Sequence, residues 1–172
     1  ERPVSREALI QKGRIAVIDD EEPLLVGHLK QNGFAVDHDR TGGDTRNYDA
    51  QIYDVAVVDF HGVGLQLGPA QGLELVRHIR RVSPRTRVIA YTSRSLAANE
   101  AEFFRHSHTV LPKDLGLADS TKLIEGELAI ALSKQFLFDA LLEKLQAVAS
   151  DRRPEIEKKL VAALSNGDQE SC

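Results

Sequence analysis

Short apolar runs alternate along the chain with longer segments in which apolar residues recur every three or four positions. Apolar runs at residues 15–18, 53–58 and 88–91 have the length of strands that are buried on both faces. A weaker run at 34–39 predicts an edge strand, and a short run at 110–111 predicts the last strand. Strands that alternate with helices in this way predict βαβ units and an open parallel sheet with helices on both faces.

Helical spacing of apolar residues separates these runs. Asn32-Gly33 and Ser83-Pro84 are typical helix ends, and a glycine-rich connection occupies residues 61–72. The segments with helical spacing are 6–11, 24–29, 73–79 and 96–104, and a turn with a short helix is expected at 41–47.

The chain changes character at about residue 120, where two apolar stripes begin to run along one long predicted helix. Residues 150–153 break that helix, and a second helix is expected at 156–164. A helix on one sheet needs a single apolar face, so the second stripe requires a cover, either the second helix or another copy of the chain. We therefore expect a homodimer through these C-terminal helices. The predicted division is a lead-in at 1–13, an α/β domain at 14–119, a helical extension at 120–166 and a tail at 167–172.

Composition narrows the classes of function. The 172 residues are 42% hydrophobic, which suits one domain with an appendage, and the formal net charge of −4 provides no basic surplus for nucleic acid. No apolar run approaches the roughly 20 residues that span a bilayer. Cys172 is the only cysteine, so no intramolecular disulfide can form. We expect a cytoplasmic protein with neither a nucleic acid nor a membrane as its partner.

Polar residues follow four of the apolar runs at the point where each run ends. Asp19 and Asp20 follow the first run, and Asp59 follows the central one. Thr92 and Lys113 stand at the ends of the last two runs. Open parallel sheets bind ligands just outside the carboxyl ends of their strands, so the sequence predicts one site assembled from four strand ends.

These residue types suit a divalent cation and a phosphoryl group. Mg²⁺ is usually held by one or two carboxylates together with phosphate and water, and a carboxylate can also accept a phosphoryl group as a nucleophile. The acceptor should be a lone, exposed strand-end Asp next to the metal, and Asp59 fits this description best. Lys113 can supply a positive charge, and Thr92 a hydroxyl, to the phosphoryl oxygens.

Residues 14 to about 120 resemble a response-regulator receiver domain, the phospho-accepting half of two-component signalling. The resemblance rests on Asp19-Asp20, Asp59, Thr92 and Lys113, in that order and with appropriate spacing. It implies a flavodoxin-like α/β fold, a doubly wound five-stranded parallel sheet of order 2-1-3-4-5, here with a C-terminal helical extension.

The resemblance also implies partners and roles. A sensor histidine kinase or a phosphotransfer protein would phosphorylate the acceptor in the presence of Mg²⁺. A receiver is not an enzyme, apart from its own phosphoryl transfer and autodephosphorylation. The implied roles are Asp59 as phosphoacceptor, Thr92 as switch hydroxyl, Lys113 as phosphate-pairing group, and Asp19, Asp20, Asp59 and the backbone carbonyl of His61 as metal ligands.

Output is expected through a downstream protein partner or a change of assembly. The C-terminal segment is shorter than a winged-helix output domain and lacks a basic recognition helix, so DNA binding is not expected. The face that responds is expected near residues 96–104 and the final strand.

Several positions depart from the family pattern. Val110 stands where the family usually has an aromatic residue, and Lys113-Asp114 replaces the usual Lys-Pro pair, with Pro112 before the lysine. His61 and Arg94 stand two positions after Asp59 and Thr92, at places that tune the lifetime of the phosphate in the family. These departures affect the mode of signalling more than the phosphorylation chemistry.

Two alternative functions stay open. A pseudo-receiver that is never phosphorylated would be a binding module of the same fold, and Val110 favours it. A Mg²⁺-dependent phosphohydrolase would use an Asp nucleophile with a second Asp two residues later, a position that His61 occupies here. The glycines of 61–72 do not match a nucleotide-binding loop. His106 and His108 lack a third nearby zinc ligand, so we expect surface histidines.

Overall fold

The computed structural model describes residues 3–93, 98–134, 137–138, 141–142 and 145. Within them, one five-stranded sheet has the order β2-β1-β3-β4-β5, and every neighbouring pair of strands is parallel. The predicted strand order is therefore confirmed. The strands are β1 (Arg14–Ile18), β2 (Ala35–Asp39), β3 (Val55–Asp59), β4 (Arg87–Thr92) and β5 (Thr109–Pro112). The helices are α1 (Arg6–Lys12), α2 (Leu24–Gln31), α3 (Arg46–Asp49), α4 (Gly72–Val82), α5 (Ala98–His106) and α6 (Leu117–Ala131).

Helices cover both faces of the sheet, which explains why the central strands lack alternating polarity. Ile15 and Val17 of β1 belong to a cluster that includes side chains of α1, α2 and α6. Ala16 and Ile18 belong to the opposite cluster, which includes side chains of α3, α4 and α5. Every residue of β3 is buried, because this central strand lies under helices on both sides.

The N-terminal lead-in forms a short helix that contributes Leu9 to the hydrophobic core. Ser5 caps α1 by accepting a hydrogen bond from the Ala8 amide at 3.3 Å, and Leu9 is buried in the α2–α6 cluster. Gly13 follows, and a Cβ at this glycine would lie 2.9 Å from Leu128 Cδ2. The short helix expected here is confirmed, and it packs closely against α6.

The C-terminal helix differs from the single long helix that the two stripes predict. α6 ends at Ala131, and the amide of Ser133 bonds to the Ile130 carbonyl at 3.1 Å. This hydrogen bond from a residue to the carbonyl three positions before it is of the 3₁₀ type. It tightens the last turn and occupies the Ile130 carbonyl, which in a continuing α-helix would accept from residue 134. Helical residues occur again from Lys134. The predicted helix at 156–164, the tail and Cys172 lie outside the described residues, so the domain boundaries stay a prediction.

His108 is half-buried rather than on the surface as expected. Its Nδ1 accepts a hydrogen bond from the Val88 amide at 2.8 Å, and its own amide donates to the Val88 carbonyl at 2.8 Å. The Arg80 guanidinium contacts the other ring nitrogen. Burial, together with the nearby Arg87 and Arg80, lowers the pKa of His108 to about 4. The ring is a neutral structural acceptor at the junction of β4 and β5.

Among the described residues, no helix combines the length and the apolar character needed to cross a bilayer.

Candidate functional site

The carboxylates of three aspartates meet at the carboxyl edge of the sheet. Asp19 follows β1, and its amide bonds to the Asp39 carbonyl at the end of β2. Asp59 is the last residue of β3, the neighbour of β1 in the sheet. One ligand atom from each of Asp19, Asp20 and Asp59 lies within 4.8 Å of the others. The strand-end prediction for these residues therefore matches the geometry.

Lys113 joins this cluster from the end of β5. Its Nζ lies 2.8 Å from Asp19 Oδ2 and 2.9 Å from Asp59 Oδ2. The Lys113 amide bonds to the Thr92 carbonyl at 2.7 Å, which fixes the backbone from which the side chain reaches inward. The same Nζ lies 5.0 Å from the centre of the Tyr91 ring, within the range of a cation–π contact. One ammonium thus bridges two buried carboxylates. The expectation that Asp59 is exposed is wrong, because only 7% of this residue is accessible at the end of the central strand.

The electrostatics of the site favour a cation. Burial raises the pKa of Asp59, and the negative charge of Asp19 adds to this effect, while Lys113 opposes it. Burial alone would lower the pKa of Lys113, but its hydrogen bonds to the two carboxylates outweigh burial and raise it. Lys113 is therefore protonated at neutral pH, and a single ammonium faces an acidic trio.

Thr92 lies at the same edge. It ends β4 and is 7% exposed, one residue after Tyr91, which pairs in register with Asp59. On its other side Thr92 pairs with Pro112, the residue before Lys113. The sheet register therefore places Thr92, the residue predicted to supply the hydroxyl, next to the strand ends that carry Asp59 and Lys113.

The loop after β3 runs beside the acidic residues. The exposed His61 packs its ring edge-on against Phe60, with the ring centres 4.8 Å apart. Gly62 lies so close to Asp20 that a Cβ would stand 2.6 Å from its carboxylate. The metal-binding role of the His61 carbonyl stays a prediction. Arg94, the other position expected to tune the phosphate, lies outside the described residues.

The donor set fits Mg²⁺. Three carboxylates from two strand ends offer hard oxygen ligands, and the ammonium of Lys113 already shows that positive charge is stable between Asp19 and Asp59. Asp19, Asp20 and Asp59 would hold the ion. The described residues contain no other group of three His, Cys, Asp or Glu side chains placed for a metal.

Sequence reasoning missed the contacts that support the acidic pair. His38 Nε2 lies 2.9 Å from the Asp19 carbonyl, and Arg40 donates to the Asp20 carbonyl at 3.4 Å. Both residues come from the end of β2 and its following turn. The β1–β2 register could have indicated His38, because it pairs with Val17, two residues before Asp19.

Sequence comparison adds nothing to this geometry, since no family model and no curated protein matches the chain. Solved structures do match. A CheY-like response regulator receiver domain protein from Methanospirillum hungatei is 18% identical with a TM-score of 0.60, over 69% of this chain and 95% of its own. The chain has the fold of a response-regulator receiver domain.

Two further solved structures share this fold. TrrA from Thermotoga maritima, a response regulator protein in complex with Mg²⁺-BeF, is 21% identical with a TM-score of 0.56, over 67% of this chain and 98% of its own. NtrX from Brucella abortus in complex with ATP is 18% identical with a TM-score of 0.62 over 74% of this chain. This chain covers only 29% of the NtrX chain, so the likeness concerns one part of that protein.

Proposed function

We propose that this receiver accepts a phosphoryl group on Asp59 from a phosphohistidine of a sensor histidine kinase or a phosphotransfer protein. A carboxylate oxygen of Asp59 would attack phosphorus, the donor N–P bond would break, and the O–P bond of an acyl phosphate would form. The observation that carries this proposal is the position of Lys113, whose ammonium contacts Asp59 and Asp19 while Asp20 lies within ligand distance. Such a cluster can orient a phosphoryl group and balance its charge.

Magnesium supports the same chemistry. When bound by Asp19, Asp20 and Asp59, the ion would neutralise negative charge on the phosphoryl oxygens. TrrA, which shares the fold, was solved with Mg²⁺-BeF. In this chain Lys113 would pair with one phosphoryl oxygen, and the Thr92 hydroxyl would donate to another.

Labelling with a small phosphodonor tests the proposal. Incubation with acetyl phosphate and Mg²⁺ should add one phosphoryl group, detectable as a mass increase, and Asp59→Asn should abolish it. Asp20→Ala should remove the dependence on Mg²⁺. Asp54→Asn is a matched control, because Asp54 is also buried but lies at the opposite end of β3, where it accepts from the Arg14 amide. Equal labelling of wild type and Asp59→Asn would refute the assignment.

The pseudo-receiver is the second candidate, and Val110 favours it. Val110 is 40% exposed on β5 and has no aromatic ring that could turn inward. Beryllofluoride with Mg²⁺ separates the two functions. A phospho-accepting receiver should gain thermal stability with this phosphoryl mimic, whereas a module that is never phosphorylated should not respond.

Catalysis is limited in this proposal to self-phosphorylation and autodephosphorylation of Asp59. A phosphohydrolase with an Asp nucleophile usually has a second Asp two positions later as its general acid. In this chain the exposed His61 occupies that position, which counts against a phosphohydrolase. Steady turnover of a generic phosphate ester would support the phosphohydrolase instead.

The proposed partners follow from the same chemistry. A phosphohistidine protein would approach the carboxyl edge of the sheet, where Asp59 lies. A downstream protein would bind at α5 and β5, the elements next to Thr92 and Lys113. Its affinity would depend on whether Asp59 is phosphorylated. Self-association through the C-terminal helices is proposed as a further route of output. Pull-down with and without beryllofluoride would identify partners that distinguish the two states.

A further inference from the structure

Gln71 has an unfavourable backbone conformation next to the acidic site. Its φ of 54° and ψ of −124° lie in a region that residues with a Cβ rarely adopt. In the part of the chain that the structure describes, Gln51 is the only other residue besides glycine with positive φ. Such strain persists only where surrounding contacts impose it, and it is common at functional sites.

The side chain of Gln71 forms a hydrogen bond within the loop before α4, and it does not cap that helix. Gln71 is the N-terminal flanking residue of α4, yet its side chain makes no capping hydrogen bond to that helix. Instead its Oε1 accepts a hydrogen bond from the Gly62 amide at 2.9 Å. This bond joins the two ends of the connection between β3 and α4.

One end of this bond lies against the acidic site, and the other is next in sequence to a residue that does. Gly62 packs against Asp20, where a Cβ would stand 2.6 Å from the carboxylate. The residue after Gln71, Gly72, donates from its amide to the Phe60 carbonyl at 3.0 Å. A Cβ at Gly72 would lie 2.3 Å from the Asp59 carbonyl oxygen. Gln71 is therefore anchored at the end of β3 and reaches back to the backbone that touches Asp20.

We propose that Gln71 is a positioning residue for the metal site, because its side-chain oxygen holds the Gly62 backbone against the Asp20 carboxylate. The inference rests on the proposed function, in which Asp19, Asp20 and Asp59 bind Mg²⁺. Groups that orient metal ligands through such contacts commonly change metal affinity by about 10-fold or more when they are removed.

Gln71→Gly removes the acceptor and relieves the strained φ. We expect its dissociation constant for Mg²⁺, measured by isothermal titration calorimetry, to rise by about 10-fold. Gln51→Gly is the matched control, because it replaces the same residue type at a φ of 56°. It should bind Mg²⁺ within about 2-fold of wild type. Gln71→Glu keeps an acceptor oxygen at the same distance along the side chain and should retain wild-type affinity or exceed it.

Hydrogen exchange of the Gly62 amide provides a readout that needs no metal. In the Mg²⁺-free protein, NMR should show slow exchange in wild type and Gln71→Glu, and exchange at least about 10-fold faster in Gln71→Gly. Unchanged exchange in Gln71→Gly would overturn the positioning role, as would equal losses of Mg²⁺ affinity in Gln71→Gly and Gln71→Glu. If wild type binds no Mg²⁺, the proposed metal site fails, while the exchange experiment still decides whether Gln71 holds Gly62.

Discussion

At the scale of single residues, the site is a cluster with more negative than positive charge. Asp19 and Asp59 are 2% and 7% exposed, and Lys113 is the cation that contacts both. Charges removed from water are costly unless they are paired, so one ammonium only partly offsets the cost of two carboxylates. Without a bound cation, this excess of buried negative charge therefore lowers the stability of the folded protein.

Asp59→Asn should stabilise the metal-free protein at pH 7. Burial raises the folded-state pKa of Asp59 above its unfolded value, so its contribution to stability is present at low pH and is lost as pH rises through the folded pKa. Asparagine removes this penalty. The free energy of unfolding in urea with a chelator should rise by about 1 kcal/mol, a typical size for one substitution.

The control for this experiment is Asp119→Asn. The side chain of Asp119 is 64% exposed beside Lys122, so its replacement should change stability by less than about 0.5 kcal/mol. A lower unfolding free energy for Asp59→Asn would show that the bond to Lys113 outweighs the cost of burying the carboxylate.

His108 should make stability depend on pH in the mildly acidic range. Its folded pKa of about 4 lies below the unfolded value of 6.5, so the unfolded chain takes up a proton first. Stability is complete above pH 6.5 and should fall as pH drops toward 4. Arg80, Arg87 and Glu127 surround the ring, and the two arginines oppose its protonation.

His108→Asn tests this dependence. Asn Oδ1 can replace Nδ1 as the acceptor for the Val88 amide, but it does not titrate. Thermal unfolding between pH 4 and 7 should therefore show a smaller loss of stability in the variant than in wild type. Parallel curves would mean that other groups cause the acid sensitivity.

The residues that sequence could predict are those defined by strand ends. Asp59 and Lys113 were identified because a parallel sheet brings its carboxyl ends to one edge, whatever the helices do. His108 and Gln71 could not be assigned in this way. The role of His108 depends on burial beside Val88, and that of Gln71 on how the loop folds back to Gly62.

At the scale of elements, the junction between β3 and α4 is the tightest part of the site. The amide of Gly72 bonds to Phe60, and a Cβ would stand 2.3 Å from the Asp59 carbonyl and 2.9 Å from Phe60 Cα. These are backbone atoms of the last strand residue and of the buried residue that follows it, so they cannot move aside as a flexible side chain would. Glycine lets α4 start directly beside Asp59.

Gly72→Ala should therefore destabilise the protein, although alanine favours helices. The overlap with β3 should cost about 1–3 kcal/mol. Gly27→Ala is the matched control, because Gly27 lies exposed within α2 and a Cβ there would contact nothing within 4 Å. It should stabilise the protein by up to about 1 kcal/mol. Chemical denaturation compares the two, and equal effects would contradict the close contact at Gly72.

The periodicity of apolar residues predicts which helices and strands form, but it does not predict where each one ends. The apolar stripes predict a helix well beyond Ala131, whereas the backbone of Ser133 turns back to bond with Ile130. Periodicity reports which face is apolar, and it contains little information on a local three-residue hydrogen bond. The helix α1 was visible as a pattern, but its packing on Leu128 was not, because that contact joins the two ends of the domain.

At the scale of the whole molecule, α1 and α6 pack together on one face of the sheet. Arg6 of α1 donates to Glu125 of α6 at 2.8 Å, and Leu9 lies in the same apolar cluster as Leu128. The lead-in thus packs against α6 through both an ion pair and apolar side chains. Among the described residues, the C-terminal segment also has exposed apolar side chains, including Ile130, Leu137 and Leu141.

These exposed residues make the predicted homodimer testable. Leu137 and Leu141 are 38% and 41% exposed and stand four positions apart in the sequence, so they can form an apolar contact with a second copy. Burying one leucine side chain contributes about 1.5–3 kcal/mol, and a buried glutamate would remove that gain and add a desolvation cost.

The double variant Leu137→Glu/Leu141→Glu should therefore sediment as a monomer at concentrations where wild type is dimeric. Leu65→Glu, at an apolar position that is 59% exposed in the loop after β3, should leave the dimer intact. Wild type that stays monomeric across a concentration series in sedimentation velocity would rule out this interface.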